Sequence, residues 1–336
     1  MPADERFTIR AYRDGDERAI LDLFARSFPH APRSVAHFDW KYRRNPFGNE
    51  RISLAFDREA NDALVGHYAA YAVPFVDDGR VLDAQQVGDT MTDPAIRHIG
   101  RGPTSLLGRT ALHFYANFCE GKVAFNYGFN VANIQKFSLR FLRSDRVEPV
   151  TYRVRDLRAH PLKPLTRSER WLRGFQLELV QRSSGDFDEL FARAARAYRF
   201  LVRRDARYVQ WRYLDCPDVS YFVVAIRKWR KLAGWIAFRI DGNRFLWGDA
   251  LFDPHLADEA VDAILRHVVP SYPVDRIEAW FPPRPRWFDA LLGDQHFETH
   301  PQPQDLSVMC VPFTKQDAVA SMRDRLYYTW SDSDLF

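Results

Sequence analysis

GDTMTDPAIRHIGRG stands at residues 88–102, and GDALFDPHLADEAVD stands at residues 248–262. Each begins Gly-Asp, passes through three residues and reaches Asp-Pro, yet only the first continues to paired glycines. Working outward, the likeness extends in both directions and in the same order. LFAR occurs at Leu23–Arg26 and again at Leu190–Arg193, and WKYRRNP at Trp40–Pro46 is echoed by WRYLDCP at Trp211–Pro217. Gly66 and Gly234 then sit at matching places in two β-rich hairpins, just before the paired phrases. Ordered self-similarity of this kind marks an internal duplication.

Size agrees with two copies. The chain has 336 residues, whereas single hydrophobic cores stop growing at roughly 250–300. Each copy reads as strand, helix, helix, three strands, helix, strand, helix and a final strand, which is a mixed α/β sheet made twice. The expected division is a first domain over 1–154, a Pro- and charge-rich linker over 155–166, a second domain over 167–314 and a tail over 315–336.

Composition excludes several classes. A net charge of +4 comes from 48 basic and 44 acidic residues without a one-sign block, so no nucleic-acid partner is indicated. No run approaches about 18 apolar residues and the first residues lack an apolar h-region, so no membrane span is expected and the expected location is cytoplasmic. Cys119, Cys216 and Cys310 are far apart, and the ten histidines form no HExxH, so neither a disulfide framework nor a metal is proposed.

A duplicated chain supplies its own comparison: what both copies share is scaffold, and what one copy alone has is function. Asp89 and Asp93-Pro94 are scaffold by this test, because Asp249 and Asp253-Pro254 repeat them. Only the first copy has Arg97-His98-Ile99-Gly100-Arg101-Gly102-Pro103-Thr104 between a strand and a helix. Two readings stand: a tight turn with surface arginines, or a phosphate site. In the second, glycines let backbone N–H groups approach phosphate oxygens, Pro103 suits a first helical turn, and Arg97 and Arg101 add countercharge. The second copy makes the same junction without glycine, which favours the phosphate site. The GxxxxGK[ST] loop is absent, and a dinucleotide fingerprint fails because Pro94–Ile99 separates the strand from the first glycine.

Arg97-x-x-Gly100-x-Gly102, after a strand and before an apolar helix, resembles the [RQ]xxGx[GA] loop of the GNAT superfamily of N-acetyltransferases. The order of elements resembles that fold over about 150 residues of the first copy, and the second copy resembles it without the loop. The resemblance implies two tandem GNAT-like domains, the first active and the second degenerate. It implies that residues 97–104 hold the pyrophosphate of acetyl-CoA or another acyl-CoA, while Met91 and Thr92 pair by backbone with the pantetheine. Asn130 and Asn133 are further candidates to touch it. The family's acid is Tyr in NxxAxxxY, and here the Ala place holds Asn133 and the Tyr place holds Phe137. Tyr127 is then the candidate acid, and the terminal carboxylate of Phe336 the candidate base, since some members use their own chain end. The implied reaction is acyl transfer to a primary amine of a small molecule or peptide. Two alternatives remain at this point, a Fem-type aminoacyl transferase of cell-envelope synthesis and a CoA-binding module without catalysis.

Overall fold

The structure is a computed structural model, and it describes residues 6–30 and 33–336. In chain order its strands are β1 (Phe7–Ala11), β2 (Arg51–Asp57), β3 (Ala63–Asp77), β4 (Arg80–Thr92), β5 (Phe125–Asn130), β6 (Asp145–Pro149), β7 (Tyr152–Asp156) and β8 (Phe175–Leu179). There follow β9 (Phe200–Val202), β10 (Phe222–Lys228), β11 (Lys231–Asp241), β12 (Arg244–Phe252), β13 (Arg276–Trp280), β14 (Glu298–His300), β15 (Ser307–Pro312) and β16 (Leu326–Tyr327). The helices that matter below are α1 (Glu17–Ser27), α2 (Leu106–Phe118), α3 (Ala132–Phe141), α4 (Gly185–Tyr198), α5 (Ala257–Ala263) and α6 (Ala318–Arg325).

The chain forms two compact units, and neither is contiguous. The first comprises the described residues to Pro74, Leu82–Pro149 and Leu306–Arg323; the second comprises Phe75–Val81, Val150–Asp305 and Asp324–Phe336. In the first, the strands run β1-β2-β3-β4-β5-β15-β6; in the second, they run β14-β7-β13-β12-β11-β10-β8. The last strand of each half has therefore gone to the other sheet. β15 enters antiparallel between β5 and β6, and β7 enters antiparallel between β13 and β14. This revises the expected boundaries: a linker from residue 155 would begin inside β7, where Arg155 is buried, and a second domain ending at 314 would include a strand of the first sheet. Residues 315–336 are not a loose tail but carry α6, β16 and a 3-10 turn at Trp330–Asp332.

The repeated motifs do the same work twice. Leu23 and Phe24 on α1, and Leu190 and Phe191 on α4, are buried on the apolar stripe of each helix. The arginine that ends LFAR ties three elements together. Arg26 donates to Asp93 at 3.0 Å and to the Leu64 carbonyl at 3.1 Å, and Arg193 donates to Asp253 at 3.4 Å and to the Leu232 carbonyl at 2.8 Å. The Trp-basic-Tyr motif forms a π-helical turn in both units, Asp39–Arg43 and Gln210–Leu214, capped upstream by Ser34 and Asp205. Its tyrosine reaches the aspartate of Gly-Asp, Tyr42 to Asp89 at 2.8 Å and Tyr213 to Asp249 at 2.5 Å. Both are scaffold clamps, as the comparison of copies leads one to expect.

Candidate functional site

β4 and β5 are parallel neighbours over only three pairs, Ala84–Phe125, Gln85–Asn126 and Gln86–Tyr127. Past these the strands diverge, and the residues from Val87 to Thr92 face a gap rather than a ladder. A cleft lies there, lined by Val87, Tyr127, Asn130, Ser138 and the Tyr68–Tyr115 pair, whose hydroxyls are 3.2 Å apart. Burial pushes both of these phenols up, so they are neutral donors at physiological pH.

The glycine loop stands at the end of β4. Asp93 closes the strand by donating to the Val65 carbonyl, and a chain of turns leads to a 3-10 turn at Gly102–Thr104 before α2 begins at Leu106. Ser105 caps α2 by accepting from the Gly108 amide at 3.1 Å. Gly100 has φ +74, and a Cβ there would lie 2.5 Å from the Thr104 carbonyl oxygen; at Gly102, φ is +56 and a Cβ would lie 2.7 Å from the Phe141 ring. The loop as built thus requires both glycines, which corrects the expectation that this junction could be made without them. The second unit avoids the need by having no such loop: α5 starts at Ala257, directly after the Asp253–Leu256 turn, and Ala260 lies buried within that helix.

The loop has the features of an anion cradle. Among the described residues the amides of His98, Gly100 and Gly102 have no intrachain acceptor, and Arg97, His98 and Arg101 are exposed beside them. Ile99 instead packs on the cluster of Phe7, Ala55, Val65 and Leu106 and anchors the loop. Pro103 and Thr104 complete the 3-10 turn, with the Thr104 hydroxyl donating to the Arg101 carbonyl at 2.9 Å.

The remaining expected residues separate. Tyr127 and Asn130 line the cleft, but Asn133 is exposed in the first turn of α3. Phe137 packs 5.3 Å from the Phe141 ring, and the next residue, Ser138, faces the cleft in its stead. Phe336 belongs to the second unit. Its ring stacks 5.1 Å from Tyr221 and covers Gly248, where a Cβ would lie 1.9 Å from it, and its carboxylate accepts from the Tyr221 hydroxyl at 2.6 Å. The expected base at the chain end is thus engaged, ring and carboxylate alike, in the second sheet.

That sheet has the same divergence, since β12 pairs with β13 only from Arg244 to Trp247. Here the chain's own end fills it. Tyr327 donates to the Ala250 carbonyl at 3.0 Å, and Trp330 stacks 4.9 Å from Trp280. No cofactor-sized opening is needed to satisfy this strand.

Residues 8–138 match the profile of the acetyltransferase (GNAT) domain. The first unit carries a GNAT acetyltransferase domain. The GNAT fold is likewise shared, in tandem, with solved structures. A conserved Enterococcus faecalis protein of unknown function, described as a "Probable N-Acyltransferase", superposes with a TM-score of 0.69 at 12% identity, over 95% of this chain and 75% of that one. A GCN5-related N-acetyltransferase of Anabaena variabilis gives 0.66 at 12% identity, over 91% and 72%. Saccharomyces cerevisiae N-myristoyltransferase with bound myristoyl-CoA gives 0.56 at 11% identity, over 91% and 80%. A comparison with curated proteins finds no matching relative. Among the described residues, no helix is long and apolar enough to cross a membrane.

Proposed function

We propose that the chain is an acyl-CoA-dependent N-acyltransferase, in which the first unit binds the acyl-CoA and a primary amine attacks the thioester carbonyl directly. The observation that carries this reading is the divergence of β4 from β5 beside the Gly100–Gly102 loop. A thioester ligand has two needs, a clamp for its pyrophosphate and a polar channel for its extended arm. The free amides of residues 98, 100 and 102 with Arg97 and Arg101 suit the first, and the backbone of Met91 and Thr92 suits the second. Tyr127 and Ser138 line the cleft, and in this reading they protonate the departing thiolate, Ser138 taking the part that Phe137 cannot. Acetyl is the acyl group proposed.

Calorimetric titration with acetyl-CoA tests this. One site per chain is expected in the wild type. In Gly100→Ala the new Cβ meets the Thr104 carbonyl, so affinity should fall at least tenfold, about 1.4 kcal/mol, while the urea midpoint shows the fold retained. Absence of binding to the wild type overturns the proposal. One observation favours a second reading: with Phe137 packed away from the cleft, the unit could bind CoA without turnover. Saturable binding with no thiol release on any amine would establish that instead.

A further inference from the structure

A second, small pocket in the first unit lies against the same free segment of β4. Asp89 and Met91 form part of its wall, α1 supplies Ile20 and Phe24, and His67, Arg33, His37 and Tyr42 bring polar groups to it. His67 is 1% exposed. Its Nδ1 lies 2.7 Å from the Asp89 carbonyl oxygen, which can only accept, so Nδ1 carries the proton and Nε2 holds a lone pair. Among the described residues Nε2 has no partner, and neither has Arg33 Nε.

The duplicated chain shows what such a cavity takes. Arg33 and Arg204 each stand seven residues before the motif tryptophan, and His67 and Trp235 each follow the hairpin glycine. In the second unit Arg204 donates from Nε to Asp249 at 2.8 Å and from Nη2 to the Asp332 carboxylate at 2.6 Å. The chain end thus presents a carboxylate to the arginine, and Trp235 stands where the imidazole would be.

Resting on the acyltransferase reading, we infer that the first unit's cavity takes the acceptor, an amino acid or peptide whose carboxylate pairs with Arg33 and whose amine faces His67 Nε2. The neutral amine attacks the thioester carbon, and the C–N bond forms. Its nitrogen, now strongly acidic, gives one proton to Nε2. The C–S bond then breaks with its electron pair on sulfur, the Tyr127 or Ser138 hydroxyl gives the thiolate its proton and regains one from solvent, and His67 releases its own proton to solvent, leaving amide and free thiol. Burial pushes the His67 imidazole down to about 4, against the opposing pull of Asp89, so it is neutral and able to accept at pH 7.

Bromoacetyl-CoA tests the placement without any acceptor, since its methylene carbon alkylates a nucleophile beside the acyl site with loss of bromide. Peptide mass mapping should find the label on His67, suppressed by excess acetyl-CoA and absent in His67→Gln, whose acetyl-CoA affinity stays within threefold of wild type. Thiol release should then be at least a hundredfold faster with a free amino acid or peptide than with its C-terminal amide, and Arg33→Met should bring the acid down to the amide's rate. Acetyl-CoA binding without alkylation at His67, or equal use of acids and amides, or no use of either, overturns this assignment and leaves the acyl-CoA site standing. No acetyl-CoA binding overturns both.

Discussion

Asp89 and Asp249 are the same residue written twice and held by different cations. Asp89 lies 2.7 Å from Lys41 Nζ, and Asp249 lies 2.8 Å from Arg204, which is fully buried. Burial would raise Asp89, but Lys41 outweighs it and holds the carboxylate well below the usual range. Lys41→Met should therefore cost about 3–5 kcal/mol in urea unfolding, since it leaves a buried charge alone. Lys41→Met with Asp89→Asn should recover most of that loss. Arg204 faces a second carboxylate, Asp332, which burial pushes up to about 6 despite the guanidinium. The native state then binds a proton that the unfolded chain has already released between about pH 4 and 6. Stability falls as pH rises through that window, by up to about 3 kcal/mol, and Asp332→Asn should remove this slope. His67 has the opposite sign, because its depressed value makes stability rise between about pH 4 and 6.5, and His67→Gln should remove that contribution. His67 itself sits in LeuValGlyHisTyrAlaAla, and an isolated histidine in an apolar strand reads as core. The signal was its counterpart, because tryptophan stands at the matching place in the other copy.

At the scale of elements, the loop and the chain end are two solutions to one gap. Parallel strands that part leave backbone groups without a ladder, and such groups need partners. In the second unit Tyr327, Trp330 and Phe336 supply cover, and the Phe336 ring is 6% exposed. Phe336→Ala should lower stability by about 3–5 kcal/mol in denaturant unfolding, with acetyl-CoA affinity in the first unit unchanged. The glycine loop was legible because few residues occupy φ near +60 to +75 and the pattern is local. The helix after it begins at Leu106 rather than at Pro103, because Gly102–Thr104 takes the tighter 3-10 turn. The structured chain end was not legible. Its partners, Gly248 and Ala250, lie more than seventy residues upstream, and no periodicity records such a pairing.

At the scale of the molecule, the duplication was plain in sequence because its shared residues are polar clamps with fixed chemistry: Arg26 and Arg193, Tyr42 and Tyr213, Asp93 and Asp253. The exchange of β7 and β15 left no such mark, since any alternating apolar strand fits any sheet with a vacancy. It has a measurable result. A fragment of residues 1–154 lacks β15, so β6 loses its neighbour and β5 gains an open edge; no cooperative unfolding transition is expected. Appending residues 306–323 through a flexible linker should restore one. The exchange also sets a clock on biosynthesis. The ribosome completes β6 and then makes roughly 160 more residues before β15 leaves the tunnel, which at about 5–20 residues per second is a wait of about 10–30 s. Through that interval β5 shows a bare, apolar rim to its surroundings, and the nascent chain is a client for whatever shields such edges until its own last strand arrives.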